Sequence, residues 1–336
     1  VFCLDATGSM SGLIGTAKEK IWDIVSGVSQ SQDIGKIKLG MIFYRDRGDA
    51  FVTKSYPLTE NIDSIYTELL AIGAGGGGDS PESVNAALDE AIRKMPWSDD
   101  GNAYRTVFLV GDCPPHMDYN ETRYPATCKT ASQKNILINT IKLGNQCSDA
   151  IRHFKEIARL TNGNFQQLDQ NAKDYVIETP YDDSITYYSR RIDDSKIYYG
   201  TTIEKRVMYD KKAKSMDMYD KASKTSNRAR ASYNTSKAGK KNFYGKNELV
   251  QGLIDKEITL DSISVDKLPD EMKEMNIEQQ KVYINNKTIQ RQNDVANLNK
   301  YIKQKDEYVR IEKTKKNGES SFSEEIIKTM KSQAKK

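Results

Sequence analysis

Histidine is almost missing from this chain: His116 and His153 are the only two among 336 residues. Cysteine is scarce as well, with Cys3, Cys113, Cys128 and Cys147 and no CxxC pair. Together these argue against a structural zinc site. No stretch approaches the roughly 18 apolar residues of a membrane span, and none has the pattern of a secretory leader. The chain opens at Val1, inside an apparent strand and without Met, which has the look of a mature or trimmed product. A strong net charge is also lacking. At +4 the balance is too small to call for a nucleic-acid partner by itself. There is no clean internal repeat and no sustained heptad. The run Gly75–Gly78 is followed by Asp79-Ser80-Pro81 where a phosphate-binding loop needs Gly-Lys-[Ser/Thr], and an aspartate there would repel a phosphate.

What is present is unevenly spread. The part up to about Tyr175 is slightly acidic, which leaves roughly +8 on a remainder rich in Lys, Asn, Gln, Ser and Tyr. A solvated helical surface is the ordinary reading of such a lysine excess, and an anionic partner is the alternative. Cys128 and Cys147 flank one helix–strand unit and form the candidate disulfide, with two free buried thiols as the alternative.

The first half alternates as a parallel sheet demands. Apolar runs VFCL, KIKLGMIFY, RTVFLVGD and ILINTIKL are separated by segments with apolar residues at helical spacing, such as Leu13, Ile14, Ala17, Ile21, Ile24, Val25 and Val28. AFVTKSYPL reads as an edge hairpin partner, NFQQL as a short last strand, and SPESVNAALDEAIRKM as a helix with Pro81 in its first turn. The pattern predicts an α/β domain over 1–175, a doubly wound, mostly parallel sheet flanked by helices. Residues 176–336 are expected to form a mainly α-helical, Lys-rich extension. Within it, residues 207–234 show no convincing apolar face and read as a solvated or mobile helix. Val282, Ile284, Ile289, Val295, Leu298, Ile302 and Val309 predict one long helix or a bent pair, and a final helix capped by Ser320 or Ser321 follows.

Ligands of open α/β sheets bind at the carboxyl ends of the strands. Three segments bring oxygens there: Asp5-Ala6-Thr7-Gly8-Ser9 after the first strand, GGGGDSPE with Asp79, and LVGD with Asp112. Three carboxylates and two hydroxyls, without thiol or imidazole, suit a hard divalent cation that keeps some of its waters. Glycine allows the backbone to come close to such an ion. Asp46 of FYRDRGD reads equally as a supporting carboxylate or as an ordinary salt-bridged strand end. His116, after two prolines, is placed on the rim of that face. No nucleophile or base is visible beside it. Arg47-Gly48-Asp49 in a hairpin turn is read as a chance triplet.

DATGSM, GGGGDSPESV and VFLVGDCPPH resemble the three metal-site loops of a von Willebrand factor type A (vWA) domain. The resemblance covers about 1–170. It implies a metal ion-dependent adhesion site (MIDAS) with Thr7 and Ser9 as direct ligands, Asp5 direct or through water, and Asp112 from the third loop. Asp79 stands where most members carry Thr, a change that makes the site more anionic. Magnesium is the ion implied, with calcium or manganese as alternatives. DxTGSM, FYRD, GGGDxPE and GDxPPHMDY are shared with a bacterial branch and with domains linked to α-kinases. The stretch from about Asn247, including LPDEMKEM, is similar to a helical extension of some bacterial members.

The implied function is a non-enzymatic, metal-dependent protein-binding, cell-adhesion or scaffolding module. A partner's Asp or Glu would complete the ion's coordination, and the helical tail would serve assembly. One alternative is an accessory subunit of a separate enzyme, a chelatase-like ATPase or kinase assembly. The other is binding of the basic tail to an anionic surface or nucleic acid, of which nucleic acid is the less favoured. An extracellular or cell-envelope location is favoured over a cytoplasmic one.

Overall fold

The computed structural model describes residues 1–30, 35–78, 80–169, 176–315 and 322–334. They divide into two compact units. The first comprises residues 1–24, 37–175 and 319–336, and the second 25–36 and 176–318.

The first unit is built on β1 (Phe2–Asp5), β2 (Leu39–Tyr44), β3 (Thr53–Thr59), β4 (Arg105–Gly111), β5 (Ile136–Leu143) and β6 (Phe165–Leu168). They form one sheet in the order β3-β2-β1-β4-β5-β6, in which β3 alone runs antiparallel, against β2. The helices of this part of the chain are α1 (Ser11–Ser29), α2 (Ile62–Ala71), α3 (Val84–Arg93), α4 (Tyr124–Gln133) and α5 (Asp149–Leu160). The doubly wound, mostly parallel sheet expected from the sequence is therefore the fold.

Successive residues of a strand face opposite sides of a sheet. Cys3, Ile42, Val107, Leu109 and Ile138 pack with Val84, Leu88, Ile92, Phe154 and Ile157 of α3 and α5 on one side. Phe2, Phe43 and Phe108 are buried on the other, with Phe2 and Phe108 stacked at 5.5 Å between ring centres. Burial on both faces explains why these strands read as continuous apolar runs rather than alternating ones. The chain winds from β1 to β2 on one side and resumes with β4 on the other. The carboxyl ends of β1 and β4, carrying Asp5 and leading into Asp112, thus lie side by side at the switch point of the sheet.

Helix α3 begins at Val84, three residues later than expected. Glu82 instead bridges to Pro115, donating its N–H to the Pro114 carbonyl at 2.9 Å and accepting from the His116 N–H at 3.1 Å. That pairing keeps residues 80–83 out of the helix, so Pro81 precedes it. The expected Cys128–Cys147 pairing is also replaced. Cys113 and Cys147 form the disulfide, with 5.1 Å between their Cα atoms, and Cys128 is a free, buried thiol. The reason is topological: Cys113 follows β4 and Cys147 follows its neighbour β5, whereas Cys128 sits on α4 with its thiol toward the Ile157 carbonyl.

The last helix, α12 (Phe322–Gln333), belongs to the first unit. Phe322 and Ile326 are fully buried. Gln333 exchanges amide hydrogen bonds with Asn139 of β5 at 2.9 and 3.0 Å and accepts from the Tyr104 hydroxyl at 2.6 Å. Its expected caps, Ser320 and Ser321, lie outside the described residues.

The second unit is helical: α6 (Asp182–Asp194), α7 (Thr202–Lys221), α8 (Lys224–Thr235), α9 (Lys237–Tyr244), α10 (Leu249–Ile254) and the 39-residue α11 (Ile277–Lys315). Of the stretch 207–234 read as solvated, the α7 part is largely exposed as expected, whereas α8 is not. All of Thr225–Asn234 is buried, and the unit holds several buried ion pairs. Arg228 meets Asp182 at 3.1 Å, Lys196 meets Asp193 at 2.6 Å, and Arg291 meets Glu248 at 2.6 Å. The buried stripe of α11 is Gln280, Ile284, Arg291, Asp294, Leu298 and Lys305, while Val282 and Ile289, expected inside, are exposed.

Candidate functional site

β1 delivers Asp5 to the carboxyl edge of the sheet, where the chain turns. The Asp5 Oδ1 accepts the Thr7 N–H at 2.9 Å and the Thr7 hydroxyl at 2.6 Å. Thr7 Oγ1 lies 3.3 Å from Ser9 Oγ. The first loop thus gathers its carboxylate and both hydroxyls; Asp5 and Thr7 are buried and Ser9 is exposed. Asp112 is buried at the end of β4, and its charge acts on Asp5. Gly111, just before it, approaches so closely that a Cβ there would stand 3.2 Å from Asp5 Oδ2 and 2.3 Å from the Tyr44 hydroxyl. Of the five predicted ligands, the structure brings together Asp5, Thr7, Ser9 and Asp112. Asp79 lies outside the described residues.

The glycine loop is laid directly on the first loop. Gly75 donates to the Ala6 carbonyl and Gly8 to the Gly76 carbonyl, both at 3.0 Å. Gly76 and Gly77 have φ of +79° and +76°. A Cβ on Gly77 would sit 2.9 Å from the Thr7 Cβ, and one on Gly76 would sit 2.4 Å from the Asp49 carboxylate. Both the backbone sign and the space therefore require glycine here. Arg45 ties the loops together, donating from Nε to the Ala6 carbonyl at 3.0 Å and from Nη2 to the Gly73 carbonyl at 2.7 Å.

Asp46 is held by hydrogen bonds from two neighbouring loops. It is buried, and it accepts from the Ser83 hydroxyl at 2.7 Å and the Tyr119 hydroxyl at 2.9 Å. His116 is buried rather than on a rim, with its ring stacked on Tyr119 at 3.7 Å. Its Nε2 lies 3.3 Å from Asp46 and its Nδ1 2.8 Å from Asp118. The 3.3 Å approach lacks hydrogen-bond alignment. Asp49 of the Arg-Gly-Asp triplet turns inward, accepting the Gly77 N–H at 3.0 Å.

Sequence reasoning passed over Glu82. It is 3% exposed, its Oε2 has no hydrogen-bond partner among the described residues, and its Oε1 lies 3.4 Å from the point a Gly77 Cβ would occupy, beside Thr7. Burial, reinforced by Asp5, Asp46 and Asp112, pushes its carboxyl up to about 9. Burial also lifts Asp5 to about 7 against the opposing pull of the two Thr7 hydrogen bonds, and its Oδ2 too lacks a hydrogen-bond partner. The readable signal was Glu82's place in GGGGDSPE, three residues after a nominated ligand.

These features fit a divalent cation. Orphaned carboxylate oxygens in a dry site carry an uncompensated cost that a bound cation removes. Among the described residues no three acidic, thiol or imidazole side chains are gathered to enclose an ion by themselves. Hydroxyls and retained waters would have to supply the remaining vertices, as magnesium tolerates.

A doubly wound sheet whose first strand, glycine loop and fourth strand deliver these oxygens to one edge defines a class of interaction modules. Residues 1–180 match the von Willebrand factor A domain family, and the chain belongs to it. Such domains typically mediate protein interactions. Two curated relatives align with part of the chain. A putative ariadne-like RING finger protein R811 of Acanthamoeba polyphaga mimivirus is 29% identical over 140 residues, which is 42% of this chain and 13% of that protein. The alpha-protein kinase vwkA of Dictyostelium discoideum is 30% identical over 117 residues, 34% of this chain and 18% of that protein. The chain therefore spans less than a fifth of either relative's length. Among solved structures, a von Willebrand factor type A protein from Catenulispora acidiphila aligns at 13% identity and TM-score 0.40, covering 51% of this chain and 38% of that one. Proximal thread matrix protein 1 from the mussel byssus, solved with a zinc-occupied MIDAS motif, aligns at 14% identity and TM-score 0.36, covering 49% and 40%.

Proposed function

We propose that the vWA unit is a non-enzymatic protein-binding or scaffolding module whose grip depends on a divalent cation. Asp5, Thr7, Ser9, Asp79 and Asp112 hold the ion, with Glu82 as an added carboxylate beside Thr7. Magnesium is the favoured ion, and calcium or manganese are accepted alternatives. An Asp or Glu of the partner completes the coordination, and the bound ion supplies the charge that attracts it. The observation that carries this reading is the pair of buried, unpartnered oxygens, Asp5 Oδ2 and Glu82 Oε2, at the switch point of the sheet. Asp46, Arg45 and the two left-handed glycines position the loops; they do not contact the ion. Isothermal titration with magnesium, manganese and calcium tests it. Micromolar to millimolar binding that disappears in the Asp5→Ala/Ser9→Ala variant is expected; no binding by the unaltered protein rejects the reading.

A second reading is service within a separate enzyme assembly, favoured by the 117-residue match to a kinase. A kinase or ATPase that co-purifies reproducibly would support it. An oxidising location, at the cell envelope or outside the cell, is proposed on the Cys113–Cys147 disulfide.

A further inference from the structure

The Cys113–Cys147 disulfide lies among the site's loops. Cys113 is the residue after Asp112, and Cys147 opens the turn into α5. The Ser80 hydroxyl, one residue beyond Asp79, lies 3.4 Å from the Cys147 sulfur. One bond therefore joins the loop carrying Asp112 to the β5–α5 turn, beside the end of the glycine loop. The far side of the Asp112 loop is held separately, by the pairing of Pro114 and His116 with Glu82. Asp112 is thus clamped from two directions, one of them covalent and reversible.

The other two cysteines cannot join this chemistry. Cys3 and Cys128 are fully buried thiols, out of reach of an external reductant. Cys147 is only half-buried, and Asn145, Gln146, Ser148 and Asp149 around it are exposed. An external thiolate can reach its sulfur.

We propose that the Cys113–Cys147 bond is a redox control on the cation site, tightening it when oxidised and loosening it when reduced by a dithiol. This rests on the metal-binding reading above. In the step, a thiolate of the reductant attacks the Cys147 sulfur, the bond to Cys113 breaks, and Cys113 leaves as a thiolate that takes a proton. The reductant's second thiol then displaces Cys147 from the mixed disulfide. The protein gains two thiols and the reductant becomes a disulfide. Freed of the tether, the Asp112 loop samples positions away from Asp5, and only the fraction with Asp112 in place binds the ion.

Manganese titrated calorimetrically into the oxidised chain, and into the chain held in excess dithiothreitol, tests this. The reduced protein, and the Cys113→Ser/Cys147→Ser variant in either condition, are expected to bind roughly tenfold more weakly. Cys128→Ser is expected to match the unaltered chain. Equal affinities in the two redox states overturn the proposal while leaving the cation site standing. Absence of binding in the oxidised chain rejects the site and the switch with it. If the reduced chain unfolds, a redox titration of the unaltered protein decides. By reciprocity, saturating manganese must make the disulfide harder to reduce, by about 30 mV for a tenfold coupling. An unchanged midpoint overturns the proposal.

Discussion

The Asp46 carboxylate accepts the Ser83 hydroxyl at 2.7 Å and the Tyr119 hydroxyl at 2.9 Å, so the end of β2, the entry to α3 and the loop after β4 share one acceptor. Both of its oxygens are thereby engaged. Asp46→Ala strands the buried Ser83 hydroxyl and removes the acceptor of the half-buried Tyr119 hydroxyl, at an expected cost of about 2–4 kcal/mol. Urea unfolding measures it, and a loss below about 0.5 kcal/mol, the range of ordinary surface changes, would rule out the framing role.

Asp5→Asn should act in the opposite direction on the metal-free chain. The Thr7 hydrogen bonds can be kept by the amide oxygen, and a buried charge next to Asp112 and Glu82 is removed. The expected result is a higher melting temperature without metal and no further rise with magnesium. The unaltered chain should gain about 2.7 kcal/mol at a hundredfold excess over its Kd. A metal-induced rise that survives in Asp5→Asn would contradict the assignment.

Removing the disulfide by Cys147→Ser opens a loop of 34 residues. Chain-entropy reasoning gives a loss of about 3–4 kcal/mol under oxidising conditions. In excess reductant the unaltered chain and the variant should unfold together, and a persisting gap would mean that the serine itself disturbs the turn.

His153 sets a pH dependence. It is buried on α5, with Nδ1 3.1 Å from the Tyr124 hydroxyl and Nε2 3.1 Å from Arg152; Glu156 and Asp149 face it more weakly. Burial first, and Arg152 second, hold its pKa below the ordinary 6.5. The unfolded chain therefore takes the proton first. This contribution is fully present above about pH 6.5 and is lost as pH falls toward the lower folded value. Asp5 and Glu82, raised by burial, work in the reverse sense, so the comparison must be with a variant. Between pH 8 and pH 5 the unaltered protein should lose more stability than His153→Gln, as read by urea midpoints. Parallel profiles would remove His153 from the account.

In the helical unit, Arg291 donates to both Glu248 oxygens, at 2.6 and 3.1 Å, with both side chains out of water. Arg291→Met leaves the buried Glu248 without its cationic partner, held only by the N–H groups of Ile197 and Gln251, at a cost of about 3–5 kcal/mol. Arg291→Met/Glu248→Gln should recover a large part of that. A strictly additive double variant would show that the pair is not coupled.

The sheet was legible in the sequence because its strands are buried on both faces and bounded by helical periods. The first loop was legible because Asp5, Thr7 and Ser9 carry their chemistry within five residues. Glu82 was missed because its role depends on a pairing with Pro114 and His116 that no local pattern announces. The disulfide was misassigned because spacing along the chain says nothing of which strands are neighbours. The helical unit was least readable, since α8 buries Arg228 and Arg230 with partners supplied from α6, and hydropathy counts both as surface.

Helix α12 binds β5 through Gln333 and Asn139, yet it is made after every helix of the second unit. On the ribosome the sheet therefore waits, with its own final helix still unsynthesised, while an entire helical body emerges and folds. Translation that stops or stalls before α12 should therefore leave the sheet without Phe322, Ile326 and the partner of Asn139, with apolar surface open to other chains.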